Sequence, residues 1–330
     1  MNGIIEVNNL KTYFRSEGKI VKAVDGVSYN IQEGETLAVV GESGCGKSVS
    51  ALSILGLVPN PPGWIEGGEV MFEGQNLLDL SDSEIRKFRG GKIGMVFQEP
   101  MSALNPVISI ERQMTEGLRL HLRMTKSQAR DRAIELLEMV GIPDAGSQLS
   151  RYPHLFSGGM RQRLMIAMAV SCQPKLIIAD EPTTALDVTV QAQILDLLKQ
   201  ICKENNVALM MITHNLGIVA RYADRINVMY AGKIIEQGTA REIFRNPSHP
   251  YTVGLLRSVP RLDGNRDLQL EPIEGQPPDL SELPVGCYFN PRCRFAIDKC
   301  ATEYPQTTDI GGTHTSSCWV AEDLASGVVQ

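Results

Sequence analysis

Residues 36–57 read Thr-Leu-Ala-Val-Val-Gly41-Glu-Ser-Gly-Cys-Gly-Lys47-Ser48-Val-Ser-Ala-Leu-Ser-Ile-Leu-Gly-Leu. Within this stretch Gly41 to Ser48 fits G-x-x-x-x-G-K-[ST] without a gap. An apolar, strand-like run (Thr36–Val40) precedes the motif, and a segment able to form a helix (Ser50–Leu57) follows it. Strand, glycine loop and helix in that order are the context a phosphate loop requires. Glycines let the backbone curl until successive N–H groups face an anion, and the helix N-terminus adds partial positive charge. In such a loop Lys47 reaches the β- and γ-phosphates and the Ser48 hydroxyl ligates Mg²⁺. The bland alternative is a glycine-rich turn that binds nothing. The intact flanking pattern argues against it, and nucleotide binding is the expectation.

Composition sets the outer limits. At 330 residues, with 43% apolar and 21% charged side chains, the chain reads as one large globular domain with an appendage, or as two domains. A net charge of −6 argues against a nucleic-acid partner, because neutralising phosphates needs a basic face. No uninterrupted apolar run approaches the roughly 18 residues that would cross a bilayer. The start, Met-Asn-Gly-Ile-Ile-Glu, has neither a basic nor an apolar leader region. The expected location is therefore cytoplasmic, with any membrane work done through partners. Of seven cysteines, Cys45, Cys172 and Cys202 are scattered, while the other four lie after residue 286. In a reducing compartment such a cluster suggests a metal before a disulfide framework.

Along the chain, residues 4–40 alternate like several short antiparallel strands, with Gly26 and Glu33-Gly34 as turns. Tyr13 and Phe14 lie in this part, either able to stack on a base or to fill a half-buried strand position. Residues 58–75, rich in proline and glycine, read as loop and turn. Ile93–Phe97 is a short strand ending at Gln98, well placed beside a phosphate loop to meet Mg²⁺ or an attacking water. Residues 107–142 read as helical, with Gly141 as the C-terminal cap. Ser157-Gly158-Gly159-Met160 opens a further helix, either as an ordinary N-cap or as a second cradle of N–H groups for phosphate. Leu176-Ile-Ile-Ala-Asp180-Glu181 reads as a buried parallel strand that delivers two acids to its C-terminal end. Asp180 suits Mg²⁺, and Glu181 suits the water that attacks the γ-phosphate. Ala208–Thr213 is another buried strand and ends at His214, where a γ-phosphate contact is plausible.

Gly41–Ser48, Gln98, Ser157–Gly159, Asp180-Glu181, Ala185-Leu-Asp187 and His214, in this order, resemble the nucleotide-binding subunits of ABC transporters. The match spans residues 1 to about 245. The resemblance implies an α/β P-loop ATPase with a RecA-like core, an antiparallel β subdomain and a helical subdomain at about 100–160. The implied ATP contacts are Phe14 or Tyr13 on adenine, then Gly41, Glu42, Ser43, Gly44, Cys45, Gly46, Lys47, Ser48 and Val49. Mg²⁺ would be held by Ser48, Gln98 and Asp180. Lys47, Gln98, Glu181 and His214 would serve hydrolysis. Two such subunits would pack head to tail, Ser157–Met160 of one capping ATP on the other, with Asp187 at the interface. Met160 departs from the family, where many members carry Gln.

Beyond this core, Asn246–Leu256, the prolines at 272, 277, 278 and 284, and Gly286–Cys293 are similar to the C-terminal extension of di- and oligopeptide importer ATPases. The implied division is a nucleotide-binding domain at 1–258 and a small irregular Cys-rich extension at 259–330. Implied partners are two transmembrane permease subunits, a second, usually non-identical ATPase, and an extracytoplasmic substrate-binding protein. The implied location is the cytoplasmic face of the membrane. Cys287-x₅-Cys293-x₆-Cys300-x₁₇-Cys318 offers four thiols for a tetrahedral ion or a cubane. Spacing alone leaves zinc, an iron–sulfur cluster, and free or disulfide-bonded thiols open. Some peptide-importer members carry a [4Fe–4S] cluster at such cysteines, and the resemblance favours it, with zinc as the alternative. His314 could replace one cysteine as a ligand, but the preferred reading is a hydrogen-bonding neighbour of the group or a surface residue. Substrates left open are dipeptides, longer peptides, glutathione and nickel. From other classes, a DNA-maintenance ATPase would need a long insertion where only about 110 residues separate loop and signature. A non-hydrolysing iron–sulfur regulator fits poorly with Glu181 and His214.

Overall fold

The computed structural model describes residues 3–183, 186–258 and 271–326. Ala185 of the Ala-Leu-Asp run and residues 259–270 of the expected extension lie outside them. The chain forms two compact units, one from residues 1–4, 31–35 and 76–212, the other from 5–30, 36–75 and 213–330. Among the described residues no helix is long and apolar enough to cross a membrane.

The second unit contains the glycine loop. Its N-terminal part is two long strands, Ile5–Ser16 and Lys19–Ile31, and not several short ones. The pattern misleads because Gly26, at φ +84°, lies inside the second strand and not between two. Residues 58–75 also correct the reading: Gly63–Phe72 is a ten-residue strand, antiparallel to Ile5–Ser16. Gly68 is what makes the pairing possible. Its φ is +104°, and a Cβ there would sit 2.6 Å from Asn9 O and from Leu10 Cα, where the register shifts. A residue that looks like a strand breaker is thus the bulge that keeps the strand paired.

Thr36–Val40 is buried throughout and runs parallel to Arg225–Tyr230. Next in order come Lys233–Thr239, then His314–Ser316 and Thr308–Gly311, all antiparallel. Two strands of the tail therefore extend this sheet. A core of Val40, Val228, Tyr230, Ile243, Tyr251 and Phe289 joins the sheet to the Pro250–Arg257 helix and to the cysteine-rich segment. The helix after the glycine loop is Lys47–Ile54, starting inside the motif and not at Ser50.

In the first unit Ile93–Val96, Leu176–Asp180 and Ala208–Thr213 are parallel neighbours, as their apolar runs predict. The expected helices are Ile110–His121 and Lys126–Met139. The second begins at a capping box of Thr125 and Gln128, and Gly141 follows its end, donating its N–H to Glu138 O. Gly158–Val170 and Val188–Glu204 pack on the same core through Leu164, Ile166, Ile194 and Leu198.

Candidate functional site

The glycine loop leaves the buried Thr36–Val40 strand and enters the Lys47–Ile54 helix. Ser43 and Gly44 are exposed at its crest, while Cys45, Gly46 and Lys47 are buried. Lys47 is only 5% exposed, and its ammonium donates to the carbonyls of Gly41 and Glu42 at 2.9 Å each. Its cation is thereby pinned within the loop, near the Cys45 sulfur at 3.9 Å. Burial pushes the Cys45 thiol up, so it behaves as a small apolar filler and not as a thiolate. Ser48 is half-buried in the first helical turn. An exposed glycine-loop crest leading into a helix start, with a lysine bound to the same loop, suits a polyphosphate.

Glu42 has three separate anchors. Its N–H donates to the Tyr251 hydroxyl at 2.7 Å, its carbonyl receives Lys47, and its carboxylate takes both arms of Arg292 at 2.7 and 3.0 Å. Tyr251 and Arg292 are site residues that the sequence does not reveal. They lie about 200 and 250 residues away, inside runs that carry family likeness but no local chemical signal. Tyr13 is similarly tied: its hydroxyl donates to Asp25 at 2.7 Å, and its ring meets Trp64 edge-on at 6.2 Å. Tyr288 also donates to Asp25, at 3.5 Å, and the Lys233 ammonium lies 3.5 Å from the same carboxylate. Burial would raise the Asp25 carboxyl, but Tyr13 and Lys233 outweigh it and hold it below the usual range. Phe14 is half-buried, as is Tyr13.

In the other unit the parallel strand delivers its acids as expected. Asp180 is 6% exposed at the strand end, and Glu181 follows at φ +43°, a left-handed conformation rare for a residue with a side chain. Gln98 and Glu181 are brought together, the amide Nε2 donating to Oε2 at 3.1 Å. Ser157 caps its helix by accepting from the Met160 N–H at 3.4 Å, and both Ser157 and Gly158 are exposed. Met160 packs its side chain on the unit's core. Asp187 is exposed and caps the Val188–Glu204 helix through the Val190 N–H at 3.0 Å. His214, in the second unit, is exposed in the turn ahead of the Leu216–Tyr222 helix.

Cys287, Cys293, Cys300 and Cys318 line one small cavity, walled by Phe289, Phe295, Pro305 and Trp319. The Cys287 N–H donates to the Cys300 carbonyl at 2.8 Å, which ties the two segments together. Burial raises the Cys287, Cys293 and Cys318 thiols, Cys293 to about 11 and Cys318 to about 12. Among the described residues no group of three or more His, Cys, Asp or Glu side chains is arranged to hold a single metal ion. The four cysteines share a cavity, and their side chains are not gathered into a metal-holding group. His314 stands apart, its Nε2 paired with the buried Glu236 carboxylate at 2.7 Å.

Comparison with known proteins places this geometry in a family. Residues 24–184 match the ABC transporter family, and residues 235–300 match the oligopeptide/dipeptide transporter C-terminal region. The dipeptide transport ATP-binding protein DppD of Bacillus subtilis is 50% identical over 329 residues, covering 100% of this chain and 98% of that protein. The oligopeptide transport ATP-binding protein AppD of the same organism is 50% identical over 98% of each chain. Among solved structures, the dimeric ATP-binding cassette MJ0796 bound to ADP and Pi in a post-hydrolysis state is 30% identical. It superposes with a TM-score of 0.65 over 72% of this chain and 99% of that one. The fold is accordingly the α/β P-loop fold of ABC ATPases, and the chain belongs to the family of dipeptide and oligopeptide transport ATP-binding proteins of ABC transporters.

Proposed function

We propose that this chain hydrolyses ATP to drive uptake of dipeptides and oligopeptides, docked from the cytoplasmic side on two transmembrane permease subunits. The observation that carries the reading is the full-length match to the dipeptide transport ATP-binding protein, including the extension beyond the ATPase core. We divide the chain into a nucleotide-binding domain at 1–258, with its helical subdomain at about 100–160, and an extension at 259–330. Two family regions match, 24–184 and 235–300, the second beginning ahead of the proposed boundary and running across it. A second, non-identical ATPase and an extracytoplasmic binding protein complete the assembly.

Roles follow from residue chemistry. Lys47 and the loop N–H groups bind the phosphates, and Phe14 or Tyr13 takes the adenine. Ser48, Gln98 and Asp180 would hold Mg²⁺, which when bound offsets charge on the phosphates. Glu181 orients and deprotonates the attacking water, its carboxylate steered by Gln98 at 3.1 Å. His214 contacts the γ-phosphate. Ser157–Met160 and Asp187, at helix starts or caps where Ser157, Gly158 and Asp187 are exposed, face a second ATPase head to tail.

For the extension, the reading is a [4Fe–4S] cluster on Cys287, Cys293, Cys300 and Cys318. The four thiols lining one cavity are what supports it. Such a cluster would hold together a tail that buries little core.

Uptake of a labelled dipeptide in cells lacking the gene tests the substrate class, with unlabelled oligopeptide, glutathione or nickel as competitors. The reading expects uptake to be lost and restored with the gene, and peptides alone to compete. Competition by nickel or glutathione, and not by peptides, would overturn the peptide assignment.

A further inference from the structure

We propose that Arg292, in the segment between Cys287 and Cys293, is a positioning residue for nucleotide binding: it fixes Glu42 of the glycine loop and neutralises its charge. This inference rests on the reading of that loop as the ATP site.

The problem it solves lies in the loop itself. Glu42 puts a carboxylate beside the place where a polyphosphate is to be held, and like charges repel. The structure answers with Arg292. Its Nη1 and Nη2 reach Glu42 Oε2 and Oε1 at 2.7 and 3.0 Å, a two-pronged pairing that fixes direction as well as distance. The Arg292 side chain is only 4% exposed and that of Glu42 26%, so solvent screens the pair weakly. The guanidinium is held independently: Nε donates to Glu274 O at 3.0 Å, Nη2 donates to Gly275 O at 3.3 Å, and the Tyr230 and Phe289 rings each lie 5.8 Å away. A lysine could not reproduce this fork. The effect then passes to Lys47, whose ammonium is bound by the Glu42 carbonyl while the Tyr251 hydroxyl holds the Glu42 N–H.

The same five-residue segment makes a second contact of this kind. Tyr288 donates to Asp25, the carboxylate that orients Tyr13. One segment of the tail therefore touches supports of both the candidate phosphate and the candidate adenine residues.

The test is titration of MgATP into the purified full chain. Wild type and Lys47→Ala come first; wild-type chain that binds no MgATP would overturn the ATP-site reading and the inference with it. With binding established, Arg292→Met is expected to raise Kd about tenfold, as an unneutralised charge near the ligand would. Glu42→Gln added to Arg292→Met is expected to bring Kd back within about threefold of wild type, because the repelling charge is gone. Thermal unfolding without nucleotide checks that each chain is folded. Arg292→Gln replaces Arg292→Met if the latter does not fold, with the same loss and the same rescue expected. A Kd within twofold of wild type for the folded single variant overturns the inference while leaving the ATP site standing. So does a double variant as weak as the single one, which would reduce Arg292 to a packing residue.

Discussion

Replacing Gly46 by alanine probes the glycine loop where it is most tightly held. Gly46 has φ +105°, and a Cβ added there would sit 2.0 Å from the Ala23 carbonyl oxygen and 2.8 Å from Met229 Cε. The oxygen contact falls about 1.4 Å short of ordinary van der Waals distance, and the partner is backbone and cannot rotate away. The left-handed conformation costs about 1–2 kcal/mol for a residue with a Cβ, and overpacking adds about 1–3 kcal/mol. Gly44 is the control. Its φ is +79°, but a Cβ there meets nothing within 4 Å, so only the conformational cost of about 1–2 kcal/mol applies. At roughly 2–4 °C per kcal/mol, Gly46→Ala should lower the melting temperature by about 4–20 °C, and Gly44→Ala by about 2–8 °C. Calorimetry with and without MgATP reads both effects. Saturating nucleotide stabilises the wild-type chain by about 3 kcal/mol at a hundred times Kd. Gly46→Ala should gain little, since a displaced loop no longer aims its N–H groups. Gly46→Ala melting within 2 °C of Gly44→Ala, with an undiminished shift in MgATP, would refute this account of the loop.

Two further outcomes follow from other parts of the chain. His249 is fully buried, and burial lowers its imidazole to about 3, so it stays neutral in the folded chain while the unfolded chain takes up a proton near pH 6.5. A depressed histidine supports the fold above the unfolded value and withdraws that support as pH falls. Stability should drop by about 1.4 kcal/mol per pH unit below 6.5, and His249→Asn, which keeps an acceptor for the Tyr251 N–H, should flatten that slope; equal slopes in urea unfolding would exclude it. For the extension, chain purified without oxygen should contain about four irons and four sulfides, lost in Cys293→Ser. One zinc and no iron would make the cavity a zinc site and remove the cluster.

How far the sequence speaks depends on whether a feature is local. The Leu176–Asp180 strand and its acids are legible because a buried parallel strand must be apolar on both faces and must end where the polar residues begin. The glycine loop is legible because its backbone shape demands specific residue types at fixed offsets. Gly63–Phe72 is not, because its Gly68 marks a close approach to Asn9 and Leu10 and not a break, and nothing local distinguishes the two. Gly26 misleads for the same reason. Arg292 and Asp25 lie beyond local reading altogether: each gains its meaning from a partner on a distant strand or loop. The four cysteines lie between these cases. Their clustering predicts convergence, and they do line one cavity, yet spacing does not report how far apart the sulfurs stand.

The central claim, that this chain powers uptake by hydrolysing ATP through Glu181, is tested most directly by Glu181→Gln in the assembled transporter. Gln98 donates to the Glu181 carboxylate, and an amide at position 181 keeps the shape while losing the base. The account predicts MgATP binding unchanged, ATP turnover down at least 100-fold, peptide uptake abolished, and the two ATPase subunits held closed on nucleotide. Turnover and uptake at wild-type levels would contradict it.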